Sequence, residues 1–158
     1  MKLRELKGLG CPVIGKCSVA EILDEANARS LIAAYADECC VPDAVPQREM
    51  YLAMELAGML TCFGAYVDGE LVGFVSVIVS VMPHHGKLVA TVESLYAAPE
   101  YRDRGAGIGL MGVAERHAEE SGCVCLTYTA RVGSRLETVL ALRAGCERSH
   151  EMYTKWLK

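Results

Sequence analysis

Two tight turns in the middle of the chain separate three segments that have the residue preferences of β-strands. Asp68-Gly69 lies between the apolar runs Met59–Val67 and Leu71–Val81, and a two-residue Asp-Gly turn between such runs is a strong hairpin signal. Pro83–Gly86 forms the second turn, and Lys87–Tyr96 follows with several β-branched residues. The sequence therefore predicts an antiparallel meander of three strands.

Helical signals precede this meander. Ser18 and Glu21 have the spacing of a capping box, in which each side chain satisfies the other's backbone N–H, and we expect a helix from about Val19 to Cys39. Pro42 and Pro46 then bracket a break. After the break, methionines recur at helical spacing and predict a second helix over Gln47–Ala57.

Helices and strands alternate in the second half of the chain. Apolar residues from Leu110 to Ala118, with His117 at the edge of the core, predict a helix that ends at Ser121-Gly122. We expect a buried parallel strand over Cys123–Ala130, a helix over Ser134–Ala144 closed by Gly145, and a last strand over Met152–Leu157. The predicted fold is a mixed, mostly antiparallel α/β sheet with flanking helices and a parallel crossover in the C-terminal half.

Length and charge restrict the class of protein. At 158 residues with a formal charge of −4, the chain predicts one domain over residues 1–158 without a general attraction for nucleic acid or anionic membranes. No apolar stretch approaches the roughly 18 residues of a membrane span, and we expect a cytoplasmic protein. None of the eight cysteines shows C-x-x-C spacing, so we expect them to be small core side chains and expect no metal. We interpret His84-His85 as part of a solvated turn.

The segment Pro99–Gly109 carries the strongest chemical signal. It joins the strand ending near Tyr96 to a helix that we expect to begin near Gly109. Glycines at such a junction let backbone N–H groups converge on an anion, and Arg102 and Arg104 can bind phosphate oxygens. The sequence therefore predicts a phosphate-binding loop.

Three phosphate motifs compete for this segment. The Walker pattern is absent, because no Gly-Lys-Ser/Thr follows the glycines. Gly107–Gly112 spells the dinucleotide motif G-x-G-x-x-G, but residues 99–106 separate it from the strand, so a dinucleotide-dependent oxidoreductase is a distant alternative. The third pattern, R-x-x-G-x-G at Arg102, Gly105 and Gly107, resembles the motif of the GNAT superfamily of acetyl-CoA-dependent N-acetyltransferases. The resemblance covers roughly residues 20–157 and is most specific in the middle third.

This resemblance implies acetyl-CoA as cosubstrate. In the family, the pyrophosphate sits on the amides of the motif loop, and the pantetheine arm bonds like an added strand to the backbone of the preceding strand. A gap between that strand and Cys123–Ala130 would leave the backbone groups that pantetheine needs. The cofactor-binding residues implied for this chain are Leu95, Tyr96, Ala97, Arg102, Arg104, Gly105, Ala106, Gly107, Ile108 and Gly109.

Two catalytic residues are predicted. Glu93 is the single carboxylate of its strand, and period-two alternation places it on the face of Thr91 and Leu95, where family members often carry a general base. The Tyr that commonly protonates the departing thiolate is replaced by Ala141, and Tyr128 or water could take that role. The Asn often found near the start of the same helix is Ser134.

The resemblance implies transfer of an acetyl group to a primary amine on a small molecule or peptide. The helix pair Val19–Ala57 and the turn Pro83–Gly86 are expected to shape the amine pocket. A homodimer is compatible with the family. The competing interpretation, motivated by Ala141, is a noncatalytic acyl-CoA-binding or regulatory module.

Overall fold

The structure, a computed structural model, describes residues 10–40 and 45–157. The chain divides into two compact units, Met1–Tyr128 and Thr129–Lys158. The first unit holds every strand of the described residues, and the described part of the second holds a single helix. Pro42, expected to contribute to a break between helices, lies outside the described residues. The single domain over 1–158 stays a prediction.

The strands of the described residues form one mixed sheet in the order β1-β2-β3-β4-β5. Neighbours are antiparallel except for β4 and β5, which are parallel. The predicted mixed sheet with a parallel crossover is therefore confirmed. Its strands are β1 (Val13–Cys17), β2 (Leu60–Val67), β3 (Glu70–Met82), β4 (Lys87–Ala97) and β5 (Leu126–Thr127).

Helices of the first unit cover both faces of the sheet. The longest helix packs through Leu110 and small residues against Val75 and Val77, and burying Leu110 alone contributes about 2 kcal/mol. Val19, Ile22 and Leu31 belong to a second core on the other face. The helices are α1 (Val19–Asp24), α2 (Ala28–Cys39), α3 (Arg48–Leu56), α4 (Pro99–Arg102), α5 (Ala106–Glu120) and, in the second unit, α6 (Arg135–Leu142).

The elements that the sequence predicted correctly depend on interactions between residues close together in the chain. Asp68 and Gly69 take φ values of 51° and 82° in the turn between β2 and β3, as a tight hairpin requires. The Ser18 Oγ accepts the Glu21 N–H at 3.1 Å, and Glu21 accepts the Ser18 N–H at 2.6 Å, so the capping box is confirmed. The helix predicted over Gln47–Ala57 is confirmed as α3.

The continuous helix predicted over Val19–Cys39 is wrong. Glu25 leaves the helical region with ψ of 140°, and the chain restarts as α2 after Asn27. The Asn27 side-chain amide donates to the Leu71 carbonyl at 2.7 Å, across 44 positions in sequence. A long-range contact at the break therefore anchors the chain between α1 and α2 to β3. Helical periodicity in the sequence cannot predict such a contact.

Strand β1 was missed, and two predicted strands are shortened or absent. β1 pairs with β2 from Val13–Tyr66 to Cys17–Cys62, but it is a mostly exposed edge strand with little apolar alternation. The strand predicted over Cys123–Ala130 keeps its parallel direction, yet only Leu126–Thr127 form it and neither is buried. The strand predicted over Met152–Leu157 is wrong, because those residues are exposed and join no ladder among the described strands.

Two further expectations are corrected. The main helix begins at Ala106 rather than near Gly109, because Gly105 adopts φ of 89° and starts it three residues early. The cysteines were expected in the core, but only Cys62 is buried, while four of the eight are exposed. His117 does lie at the core edge, with its ring 5.8 Å from that of Phe63.

Candidate active site

A β-bulge in β4 determines the face of the sheet on which the Glu93 side chain lies. Ser76 pairs with Ser94 and the next β3 residue, Val77, pairs with Val92, so Glu93 has no partner in β3. The extra residue shifts the alternation of β4 by one position. Val92 and Leu95 consequently pack on the α5 face, and the placement of Glu93 on the same face as Leu95, predicted from period two, is wrong.

The Glu93 carboxylate lies on the opposite face, where two hydroxyl groups bind it. Tyr51 of α3 donates to Oε1 at 2.7 Å, and Ser76 of β3 donates to Oε2 at 2.8 Å. The Ser76 and Ser94 hydroxyls are hydrogen-bonded to each other, and Tyr35 of α2 donates to the Glu93 main-chain oxygen at 3.4 Å. Two elements, α3 and β3, thus hold the carboxylate while α2 binds its main chain, and two donors leave part of the carboxylate's accepting capacity available.

The surrounding phenols remain protonated donors at neutral pH. Burial raises the pKa of Tyr51, and its hydrogen bond to Glu93 raises that pKa further. Burial likewise raises the pKa of Tyr35, with the nearby Cys39 and Glu93 as smaller causes. Their hydroxyl protons therefore stay directed toward Glu93 in the structure.

A cleft open to solvent adjoins this cluster on the α1–α3 side of the sheet. Its volume is about 510 Å³, including the space that opens to solvent. Aliphatic and aromatic side chains dominate its walls, and the hydroxyls of four residues supply the polar atoms. The lining residues are Val19, Ile22, Leu23, Ile32, Tyr35, Pro46, Tyr51, Cys62, Phe74, Ser76 and Ser94.

The C-terminal half of β4 has an open edge. Pairing with β5 stops at Thr91, whereas pairing with β3 continues to Ala97, so within the described residues no strand occupies that edge beyond Thr91. The Ala98 N–H donates to the Val72 carbonyl of β3 at 2.9 Å. Because antiparallel pairing alternates, the backbone groups of Leu95 and Ala97 point away from β3, toward the open edge.

The N-terminus of α5 lies beside the end of β4. The first helical hydrogen bond runs from the Gly109 N–H to the Gly105 carbonyl at 2.8 Å. The N–H groups of Ala106, Gly107 and Ile108 precede it, and no side chain caps them. A Cβ added to Gly107 would lie 4.0 Å from the Ala97 Cβ, so the three amides adjoin the open edge of β4.

The other members of the predicted cofactor set have different contacts. The amides of Arg104 and Gly105 donate to the carbonyls of Tyr101 and Arg102 at 3.1 Å and 3.2 Å. At Gly109, an added Cβ would collide with the Ile14 side chain, so the glycine permits β1 to approach α5. The anion-binding capacity of the segment is therefore concentrated at residues 106–108.

Arg102 connects the end of β4 to α2. Its Nε donates to the Ala97 carbonyl at 2.7 Å, its other end pairs with Glu38, and its guanidinium lies 5.5 Å from the Tyr96 ring centroid. In the structure this side chain fixes the position of Ala97 and Tyr96. Its predicted contact with phosphate stays a prediction, as does that of the half-buried Arg104.

The structure does not bring the two predicted catalytic residues together. The Tyr128 hydroxyl donates to Glu115 of α5 at 3.1 Å, and the ring packs against the core on the α5 face. Glu93 lies on the other face with Tyr51 and Ser76. In the second unit, the Ser134 Oγ accepts the Glu137 N–H at 3.2 Å and caps α6.

Sequence reasoning missed the partners of Glu93. Ser76 and Ser94 are small hydroxyl residues within mostly apolar strands, and that contrast was the available signal. Tyr51 lies within the helix predicted over Gln47–Ala57 and Tyr35 within the one predicted over Val19–Cys39, and neither position signals a contact with Glu93. Their convergence depends on the bulge and on the packing of α2 and α3.

Comparisons with known proteins identify relatives of this chain. Residues 18–138 match the model of the acetyltransferase (GNAT) family. The chain is 28% identical over 90 residues to aminoalkylphosphonate N-acetyltransferase of Salmonella typhimurium, a match that spans 57% of this chain and 58% of that protein. No helix among the described residues is both long and apolar enough to cross a membrane.

Solved structures share the fold. Ribosomal-protein-alanine N-acetyltransferase from Brucella melitensis biovar Abortus 2308 has a TM-score of 0.69 and 22% identity, covering 93% of this chain and all (100%) of that one. An aminoglycoside N-acetyltransferase in complex with CoA has a TM-score of 0.70 and 17% identity, covering 96% and 97%. The family match spans most of the chain and the fold agrees with it, and we conclude that this chain belongs to the GNAT acetyltransferase family.

Proposed function

We propose that this chain transfers an acetyl group from acetyl-CoA to a primary amine. The observation that carries the proposal is the position of Glu93. The bulge in β4 directs its carboxylate toward hydroxyls that line an apolar cleft, beside the open edge of the same strand. A carboxylate between an amine-sized cleft and an unoccupied strand edge has the placement that a general base for acyl transfer requires.

The residues present fit acetyl-CoA, which when bound would supply an activated acetyl thioester. The outward backbone groups of Leu95 and the outward N–H of Ala97 suit an amide-containing arm that adds to the sheet like a strand, while the Ala97 carbonyl accepts the Arg102 Nε. The uncapped amides of Ala106, Gly107 and Ile108 suit a pyrophosphate at a helix N-terminus. Family membership and the CoA complex of a similarly folded protein support this assignment.

Glu93 accepts the proton that the amine must lose. An alkyl ammonium has a pKa of about 10.4 and is not nucleophilic until it is deprotonated. The amine nitrogen then bonds to the acetyl carbon, the carbon–sulfur bond breaks, and the sulfur leaves as a thiolate that is protonated to the thiol. Tyr51 and Ser76 hold the carboxylate in place, and Tyr128 or water remains the predicted proton donor to the thiolate.

The test replaces Glu93 with Gln. The amide has a similar shape and keeps hydrogen-bonding contact with Tyr51 and Ser76, but it cannot accept a proton. We expect kcat to fall by roughly 100-fold or more while the Kd for acetyl-CoA changes little. Glu119→Gln, which removes the same charge from an exposed position on α5, is the matched control and should retain full activity.

Two results would contradict the proposal. An E93Q variant that keeps the wild-type kcat and the wild-type dependence of rate on pH would remove Glu93 as the base. Binding of acetyl-CoA without thiol release, with any amine, would instead favour the noncatalytic acyl-CoA-binding module.

A further inference from the structure

We infer that the acceptor is a monoamine with an uncharged, apolar body. The inference rests on the proposed function, because it identifies the class of amine that the cleft beside Glu93 admits. It differs from the aminoalkylphosphonate and the aminoglycoside that the names of two relatives describe. Two properties carry it: the chemistry of the cleft walls and the location of the charge beside them.

Aliphatic side chains form much of the wall that helices provide. Val19, Ile22 and Leu23 come from α1, and Ile32 comes from α2. None of the described lining residues carries a charge. A second ammonium or a phosphonate on the acceptor would have to leave water and rest against hydrocarbon, which is strongly unfavourable without a partner.

Aromatic rings form another part of the wall. The Tyr35 and Phe74 rings meet edge to face with centroids 5.9 Å apart, and both line the cleft. Tyr96 completes the cluster at 6.1 Å from Phe74. Such a surface is suited to an alkyl or aryl group and offers little hydrogen bonding along its length.

A negative charge adjoins the cleft through two of its lining hydroxyls. Glu93 bonds to the lining hydroxyls of Tyr51 and Ser76, which fixes where an ammonium can be neutralised. Among the described residues, Glu55 is a second carboxylate near this region, and its Oε1 accepts the Val19 N–H at 2.9 Å at the start of α1. The carboxylate that bonds to the lining hydroxyls therefore matches one ammonium.

The length of the apolar body that the cleft favours depends on how much of it the walls cover. The space of about 510 Å³ between the lining residues includes open solvent and does not by itself fix that length. Each methylene buried against the walls should raise kcat/KM about fourfold until the cleft is full. A homologous series of alkylamines therefore measures the inference directly.

The experiment compares amines of matched length with the full-length wild-type protein. Thiol release from acetyl-CoA is followed with ethylamine, butylamine and hexylamine, with hexane carrying amines at both ends, and with aminopropylphosphonate. We expect kcat/KM to rise along the alkylamine series. Hexylamine should exceed the diamine, and butylamine should exceed the aminophosphonate, each by at least about tenfold. Equal or better turnover of the diamine or aminophosphonate would overturn the inference and leave the acetyltransferase proposal standing.

Binding provides a readout that does not depend on turnover. Calorimetry of hexylamine and the diamine against the CoA-saturated protein should show the same preference, and the absence of hexylamine binding would overturn the inference. If hexylamine binds while no amine releases thiol, the proposed function fails and the cleft assignment survives.

A pair of variants on α2 locates the preference in the cleft. Ile32→Glu places a carboxylate on the wall and should reduce the preference for hexylamine over the diamine by about tenfold. Ala33→Glu adds the same charge at the neighbouring exposed position and should leave the preference unchanged. An unchanged preference in folded I32E protein would contradict the location.

Discussion

Substitution of Gly107 by Val separates cofactor binding from folding. Gly107 is the second residue of α5, and an added Cβ meets nothing closer than the Ala97 Cβ at 4.0 Å. Valine has a higher helix propensity than glycine by roughly 0.4 kcal/mol. For a chain of this size the melting temperature should therefore rise by about 1 °C or stay unchanged.

The same substitution should abolish most of the affinity for acetyl-CoA. A helical Cβ tilts toward the helix N-terminus, so the valine methyl groups would lie over the uncapped amides and beside the end of β4. A hydrogen bond to a charged group contributes about 1.5–3 kcal/mol. Loss of two phosphate contacts therefore costs at least about 3 kcal/mol, or more than 100-fold in Kd.

Calorimetric titration with acetyl-CoA measures this loss, and Gly112 provides the control. Gly112 lies five residues further along α5, where an added Cβ meets only the end of the Arg116 side chain at 3.8 Å. Gly112→Val should keep the wild-type Kd. A G107V protein with unchanged melting temperature and a Kd within about threefold of wild type would refute the assignment of the phosphate site.

Three further predictions concern the residues around the cleft. Glu55→Ala should lower the free energy of unfolding in urea by about 1–2 kcal/mol, because Glu55 accepts the Val19 N–H at the start of α1. The control Glu49→Ala, at an exposed position, should lower it by less. Tyr51→Phe should lower kcat roughly tenfold at unchanged acetyl-CoA affinity, because one of the two hydrogen-bond donors to Glu93 is lost. An unchanged kcat would show that Tyr51 does not position the Glu93 carboxylate. Burial raises the pKa of the Cys62 thiol to about 12. At pH 8, thiol reagents should therefore label the four exposed cysteines and reach Cys62 only on unfolding. Rapid labelling that disappears in Cys62→Ser would contradict the burial of this thiol.

Elements governed by neighbouring residues were predictable from the sequence. The Asp68-Gly69 turn and the Ser18–Glu21 capping box depend on residues within a few positions of each other. The break between α1 and α2 coincides with a bond from Asn27 to β3, 44 positions away. The edge strand β1 depends on partners in β2, and its own residues show little alternation.

The candidate site was predictable only in part, for the same reason. The glycine segment and Glu93 were visible as residue types in a recognisable order, and the structure places an uncapped helix N-terminus and a half-buried carboxylate there. The prediction that Glu93 shares a face with Leu95 was wrong, because one extra residue in β4 reverses the alternation beyond it. Tyr51 and Ser76 come from elements 42 and 17 positions away, and no local pattern connects them to Glu93.

The account is tested most directly by titrating the purified full-length protein with acetyl-CoA and then measuring thiol release in the same sample after adding hexylamine. It predicts saturable binding at one site per chain, followed by thiol release that requires both the amine and Glu93. No heat of binding, together with no amine-dependent thiol release, would contradict the central claim that this chain uses the open edge of β4 and the start of α5 to present acetyl-CoA to an amine.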